Sequence, residues 1–527
     1  MELQSLIYLF VSISFTIYFS IALWTKASST KDFYIVKDLN HPSLNGISIA
    51  IDFISAATFL SFAGLFLYSY SIVNYFIFGV IFGFLLLSFL IVPKLRKEAE
   101  FSIPTYFNKK YKSPILTNLT AIIVLLITFL YLNAQLKASG IILSRIFQIT
   151  FDKALFIALF IALFYASVSG RRNISYAFIF QYIIVFISIA TPIIFLTLNL
   201  TNSYFPQLLI FSSLENNQEF LVAIKDSFLE FNIIEENSLI NNILLAITVA
   251  FGVATLPHIL IKFFVTSNIE NSKKSALWGL FFVTIIYSFI VSLPGLSAIN
   301  FSKNISNTNY ETYIQDNYID ENSIHKNGKW LKTWEDTSLV LFKDLNNDKN
   351  IALNELDFNP DTIFLINSEI ANMPNWIIAL VISGALAATL STMTALIILL
   401  KSTLANEFIF KDKKPNKFIL NFLLAIIIIF ATFFNFKDFT ILKIVILSFS
   451  ISAATIFPIL FLTMFKKIDK NSIYYALLIS LILIISYTFI YDYFNFFIRP
   501  EAIGVIIGVL SILISFFCSK FIFNKRV

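Results

Sequence analysis

The chain has 527 residues, of which 57% are hydrophobic and 13% charged, with a formal net charge of +6 and a mean hydropathy of +0.80. Soluble domains carry about 25% charged residues, so a mainly soluble chain is excluded, and its lysines are read for their placement rather than as a nucleic-acid surface. A single cysteine, Cys518, and three histidines, His41, His258 and His325, exclude an intrachain disulfide framework, a Cys-rich metal site and, with no HExxH present, a zinc protease.

Apolar runs of about 20 residues, each able to cross a hydrocarbon core about 30 Å thick, recur from end to end. They predict thirteen helices, over 3–24, 44–69, 71–92, 115–147, 154–169, 174–198, 239–265, 275–299, 375–410, 418–434, 440–465, 473–493 and 502–523. The first lacks a basic leader and a small-residue cleavage site, so it is expected to be retained. An odd count puts the termini on opposite sides. With the N-terminus outside, the inner segments hold twenty-two lysines and arginines. The outer ones, apart from loop 301–373, hold only Lys153, Lys225, Lys437 and Arg499. This asymmetry predicts an N-out, C-in orientation. Loop 301–373 holds six lysines and twelve acids, but long loops count little in that rule. The short tail is expected to leave no room for a cytoplasmic module. No GxxxxGK[ST] phosphate loop occurs, so an ion gradient is the expected driving force. The class predicted is an all-α, multi-pass protein of the plasma (inner) membrane. It should be a single transporter domain over 1–527, surrounded by lipid, monomeric as a functional unit, and neither an enzyme nor a nucleic-acid binder.

Within helix 44–69, "DFISAATFLSFAGL" (52–65) places Asp52 eight residues in, about 12 Å along the axis. An acid near the midplane costs roughly 2.5–3.5 kcal/mol on insertion scales, so it must face the bundle or a cavity. It is either a structural acid or part of a site. Ser55 to Thr58 suit local unwinding, because hydroxyls compete for backbone bonds and small residues allow close approach. In helix 239–265, "FGVATLPHILIKFF" (251–264) carries Pro257, which breaks the ladder near Ala254, beside Gly252, Thr255 and His258. Paired interrupted helices in corresponding positions point to an inverted repeat with the site between its halves.

Helix 115–147 carries "YLNAQLKASG" (131–140), with Lys137 inside a span. Lys137 either snorkels to the outer surface or pairs with a carboxylate of protein or substrate. Helix 375–410 carries "SGALAATLSTMTAL" (383–396), whose Thr389, Ser391 and Thr392 offer oxygens to a hard cation. In the long loop, "DLNNDKNIALNE" fits a twelve-residue calcium loop through Asp344, Asn346, Asp348, Asn350 and Glu355, although Lys349 stands where the sharp turn wants glycine. Ca²⁺ there is an expectation.

Together these stretches resemble the sodium/solute symporter family, in its acetate and haloacid permease branch. "DFISAATFLSFAGL" and "GVATLPHILIKFF" are the specific parts. "YLNAQ", "ATLS", "NFKDF…ISAATIFPILFL", "WLKTWEDT" and "EIANMPNWIIALVISGALAATLST" add to them, so the likeness covers nearly the whole chain. It implies two inverted five-helix repeats of the LeuT-like kind, 44–198 and 239–465, with peripheral helices 3–24 and 473–523. It also implies a Na⁺ held by the carbonyls of Ile51, Ile54 and Ala385 and the hydroxyl of Thr389, with Ala388 where some relatives carry a second hydroxyl and Ser391 nearby. Substrate contacts are expected from Asp52, Ser55, Thr58, Tyr131, Gln135, Lys137, Thr255 and His258. Lys137 stands where the family is uncharged, so it is either a counter-ion for a monocarboxylate or a partner of Asp52. Ser61 replaces a usual glycine, and Phe178 replaces an acid near Gln181, which speaks against a second Na⁺ there.

The function expected is a symporter that imports a small monocarboxylate such as acetate with Na⁺ (or H⁺), with no organic cofactor. The alternatives are a Na⁺-coupled symporter for a neutral or zwitterionic solute such as proline, and a sensor that binds its solute without moving it.

Overall fold

The computed structural model describes residues 2–24, 41–67, 71–98, 102–168, 175–210, 238–305, 308–314, 318–319, 325–326, 328–409, 417–434, 439–494 and 496–523. The fold is mostly helical. Eight helices among the described residues are long and apolar enough to cross a membrane, and three shorter apolar helices accompany them. Phe78, Phe82, Phe160, Phe281 and Phe489 stand exposed on the outside of the bundle, where lipid rather than water is their natural neighbour.

The helices used below are α1 (Leu3–Trp24), α2 (Pro42–Phe53), α3 (Ser71–Leu86), α4 (Pro114–Phe147), α5 (Phe151–Val168) and α6 (Ser175–Thr201). They continue with α7 (Leu239–Ala254), α8 (Pro257–Leu260), α9 (Ile269–Ile290), α10 (Asn375–Thr403), α11 (Lys417–Phe433), α12 (Ile441–Ala454), α13 (Ile456–Phe465), α14 (Lys470–Phe494) and α15 (Gly504–Phe517). Burial sorts them by role. The span Ile441–Phe465 is 94% buried and Asn375–Glu407 89%, whereas Lys470–Tyr491 is only 33% buried. Helices α10, α12 and α13 therefore form the centre, and α14 lies at the edge.

The packing pairs follow a pattern. Helix α3 lies against α7, and α2 against α9; α4 lies against α12, and α6 against α10. Helices α4 and α10 pack on each other, as do α5 and α11. Exchanging the set α2–α6 for the set α7–α13 maps each of these pairs onto another or onto itself. The α3–α7 seam is close because α3 carries Gly79 and Gly83 one turn apart. A Cβ on Gly79 would lie 2.5 Å from the Ala246 carbonyl oxygen, and one on Gly83 2.8 Å from that of Ala250, so only glycine permits this approach.

The described parts of the predicted loop 301–373 carry secondary structure. A short helix, Leu293–Ile305, leads into it, and Lys329–Glu335 and Ile363–Ile370 are helical. Three two-stranded antiparallel ladders tie it together: Thr308–Asn309 with Asn350–Ile351, Tyr318–Ile319 with His325–Lys326, and Val340–Phe342 with Leu356–Phe358. The buried pair of Arg145 Nε and Glu369 Oε1, 2.7 Å apart, anchors it to α4. The predicted helix 275–299 is in fact interrupted, α9 ending at Ile290 and the next helix starting at Leu293 beside Pro294, as the missing proline N–H requires.

Gly83→Leu is expected to part α3 from α7 and to lower the thermal unfolding midpoint of the detergent-solubilised protein, by an overpacking penalty of about 1–3 kcal/mol or more. A midpoint equal to the parent's would show that the seam gives way freely.

Candidate functional site

Two ladders stop inside the bundle. The last bond of α2 runs from the Ile54 N–H to the Ala50 carbonyl, and the next begins with the Phe59 N–H donating to Ser55. The carbonyls of residues 51–54 fall in the gap. The Ala56 N–H, which would have closed onto Asp52, donates instead to Gln135 Oε1 at 3.3 Å, and the Ala57 N–H donates to Ser55 Oγ at 3.2 Å. A π-helical turn, Ala57–Ser61, and a 3₁₀ turn, Ala63–Leu67, carry the chain onward. Leaving these groups unpaired would be costly in a low-dielectric interior, so Gln135 of α4 and the hydroxyl of Ser55 take the role of the missing turn.

The second break follows α7. The Thr255 and Leu256 N–H groups fall back onto Gly252 and Val253, and Pro257 opens α8 without a donor. Thr255 Oγ1 donates to the Phe251 carbonyl at 2.9 Å and shares a 3.0 Å hydrogen bond with Ser452 Oγ of α12. Ser452 lies in Ile-Ser-Ala-Ala-Thr at 451–455, the same pentapeptide as 54–58. Both copies sit at an interruption, the second where α12 gives way to α13 at Thr455. That repetition was the available signal for Ser452.

Around the breaks the predicted residues converge. Tyr131 and His258 meet edge to face, ring centroids 5.0 Å apart, and the Tyr131 hydroxyl bonds the Ser55 side chain. Thr58 Oγ1 and the Tyr287 hydroxyl lie 3.2 Å apart. Gln135 Nε2 and His258 Nε2 are buried without a hydrogen-bond partner among the described residues. The three residues of α10 divide. Thr389 Oγ1 donates to the Ala385 carbonyl at 2.8 Å, within its own helix. Thr392 Oγ1 reaches across to the Asp52 carbonyl at 3.2 Å, and Ser391 Oγ is buried without a partner among the described residues. Ile51, Ile54, Ala385, Ala388 and Thr389 are all fully buried.

Asp52 does not pair with Lys137. Its Oδ2 lies 2.7 Å from Nζ of Lys262, on the 3₁₀ turn Ile261–Val265 after α8. Lys262 also donates to Ser48 Oγ at 2.8 Å, and its carbonyl accepts from Asn45 Nδ2 at 3.4 Å. Lys262 stands inside the quoted motif, five residues past Pro257. A charge within an apolar run was its signal, the one that singled out Lys137.

Lys137 is 3% exposed, so it does not snorkel into water. It donates to the Phe439 carbonyl at 2.5 Å, and it lines a cavity of about 250 Å³ beside the long loop with Ser338, Asp357, Asn359 and Thr440. Asp361 of the long loop is its nearby acid. Asp361 Oδ1 accepts from Ser61 Oγ at 2.6 Å, and Oδ2 accepts from the Ile441 N–H, the first of α12, at 2.9 Å. Ser61 Oγ accepts the Leu442 N–H at 3.1 Å. Burial pushes the Asp361 carboxyl above the usual carboxylate range, while Lys137, Ser61 and the Ile441 amide favour its charged form. Ser61, which replaces the family's usual glycine, thus joins Thr440 in capping the start of α12.

The calcium expectation finds no support, because the loop is held by its own amides. Asp344 Oδ2 accepts the Lys349 N–H, Asn346 Oδ1 the Asp348 N–H, and Asp348 Oδ1 the Asn350 N–H. The two oxygens of Glu355 accept from Leu345 and Ala352. Lys349 takes the positive φ of 60° that glycine would hold, and its ammonium pairs with Glu311. No group of three or more His, Cys, Asp or Glu side chains placed to hold a metal occurs among the described residues. The side chain of Phe178 lies outside the described residues, and Gln181 Oε1 is buried without a partner among them.

Polar groups that converge on paired helix breaks, inside a multi-pass helical bundle, define the class as a solute transporter of the broken-helix kind. Residues 41–319, just over half the chain, match the Sodium:solute symporter family, and the chain belongs to that family. An uncharacterized symporter of Cupriavidus necator is 24% identical, the alignment covering 87% of this chain and 81% of the relative. Among solved structures, a Na⁺-coupled sialic acid symporter in its substrate-bound, outward-open state superposes with a TM-score of 0.67 at 12% identity, covering 98% of both chains. That likeness is one of fold.

Asp361→Ala is expected to destabilise the protein by about 3–5 kcal/mol, because it removes the carboxylate facing a buried ammonium. Asp361→Asn, whose single side-chain oxygen can still accept from one of the two donors, should lose less. Chemical unfolding of the two variants checks the order.

Proposed function

We propose that the chain is a Na⁺-coupled importer of a small monocarboxylate such as acetate. The carrying observation is the gap in the α2 ladder beside two buried donors without partners. Carbonyls 51–54 provide the oxygens a hard cation needs. Gln135 Nε2, and His258 Nε2 in the tautomer protonated there, are donors suited to a carboxylate, and the Tyr131 ring packs against His258. Na⁺ sits between the carbonyls of Ile51, Ile54 and Ala385 and the hydroxyl of Thr389, with Ala388 packing beside it. The carboxylate lies among Ser55, Thr58, Tyr131, Gln135, Thr255 and His258, near Asp52. The exchange-symmetric packing pairs support two inverted repeats. Thirteen spans, N-out and C-in, in a plasma membrane fit the lysine placement. Na⁺ and the carboxylate moving together one to one carry no net charge, so the Na⁺ concentration ratio drives accumulation, at about 1.4 kcal/mol for each tenfold.

Proteoliposomes loaded with the purified protein should take up labelled acetate when an inward Na⁺ gradient is imposed, and propionate but not proline should compete. Uptake of proline instead would overturn the substrate assignment. Thr389→Ala should raise the Na⁺ needed for half-maximal uptake about tenfold or more, the scale of losing one oxygen on a charged group (~1.5–3 kcal/mol). Unchanged Na⁺ dependence would remove Thr389 from the ion site.

A further inference from the structure

A buried acid and a lysine face each other across the two breaks, one from each half of the chain. Asp52 has no exposed side-chain surface, the Lys262 side chain is 16% exposed, and the charged atoms are 2.7 Å apart. The surroundings of the two partners differ. Asp52 sits within the run of released carbonyls 51–54, groups that attract a cation. Lys262 lies four residues from His258, and Asp52 lies close enough to Tyr131 to act on it electrostatically. Asp52 Oδ1 has no hydrogen-bond partner among the described residues, so a second cationic partner has a place to bind. The pair as it stands is neutral, and a charge stranded in such an interior is strongly unfavourable.

We propose that Asp52 and Lys262 couple Na⁺ to the solute by exchanging counter-ions. Na⁺ arriving at the carbonyls beside Asp52 neutralises the acid, and the released Lys262 ammonium takes the carboxylate of the solute. The pair Asp⁻·Lys⁺ with Na⁺ and RCOO⁻ becomes Asp⁻·Na⁺ with Lys⁺·⁻OOCR. No covalent bond or proton is transferred, and the site remains neutral throughout. Na⁺ alone would leave Lys262 without a counter-charge, and the anion alone would leave Asp52 without one. Only the two together complete the exchange, which makes their binding interdependent. Lys262 then selects for a carboxylate over an uncharged solute. This inference rests on the carboxylate assignment made above.

Equilibrium binding of labelled acetate to the purified full chain, across a Na⁺ series, tests it. In the parent, saturating Na⁺ should raise acetate affinity by a factor in the range of about 5–150, and acetate should raise Na⁺ affinity by the same factor. Asp52→Asn should bind acetate with Na⁺ dependence reduced to about twofold or less, since Lys262 no longer has an acid to leave. Lys262→Gln should bind Na⁺ without acetate and lose acetate affinity about tenfold or more. Where a single variant fails to fold, Asp52→Asn with Lys262→Gln removes both charges, and it should lose acetate affinity and the mutual dependence together. Parent-like coupling in Asp52→Asn, parent-like acetate affinity in Lys262→Gln, or retained coupling in the double variant would each overturn the exchange. A parent that binds proline and no monocarboxylate would instead remove the carboxylate assignment, and the exchange with it.

Discussion

The structure turns on a constraint of the hydrocarbon interior: each backbone polar group there needs a partner supplied by protein. Two helices stop within the bundle, and each stop releases carbonyls and amides that must be answered from elsewhere. Gln135 answers Ala56, Ser55 answers Ala57, and Thr392 answers Asp52. Ser452 answers Thr255. Helices α4, α10 and α12 are therefore placed by the breaks they serve, and these are among the elements at the centre of the bundle. The carbonyls left over are what makes a cation site feasible.

Much of this was legible in the sequence. Ser55 to Thr58 marked the first break and Pro257 the second, because hydroxyls, small residues and a missing N–H are local causes of interruption. Lysine placement and apolar run length are likewise local. What escaped were the long-range pairings. Lys137 and Lys262 look alike as charges in apolar runs, and only packing shows that Lys262 meets Asp52 while Lys137 meets the long loop. The calcium pattern had suitable oxygens at suitable spacing, and the turn uses several of them to hold its own amides. Thr389 and Thr392 are three residues apart, and their different partners depend on the crossing of α2 over α10.

Family membership and site geometry bear on different questions. The family states that a solute moves with Na⁺; the distribution of buried donors and charges bears on which solute and on how the two are linked. A coupling carried by counter-ions needs no large relay. It needs only that the interior tolerate neutral pairs and resist single charges.

The long loop has a mechanical consequence. Glu369 holds Arg145 of α4, and eight residues earlier Asp361 binds Ser61 and the start of α12, beside Lys137 of α4. Every residue between these anchors is buried. A binder raised against the exposed turn of the same loop around Leu345 would thus act on α4, α12 and the continuation of α2 at once. Such a reagent would act as a handle on the conformation of the whole bundle without entering the membrane.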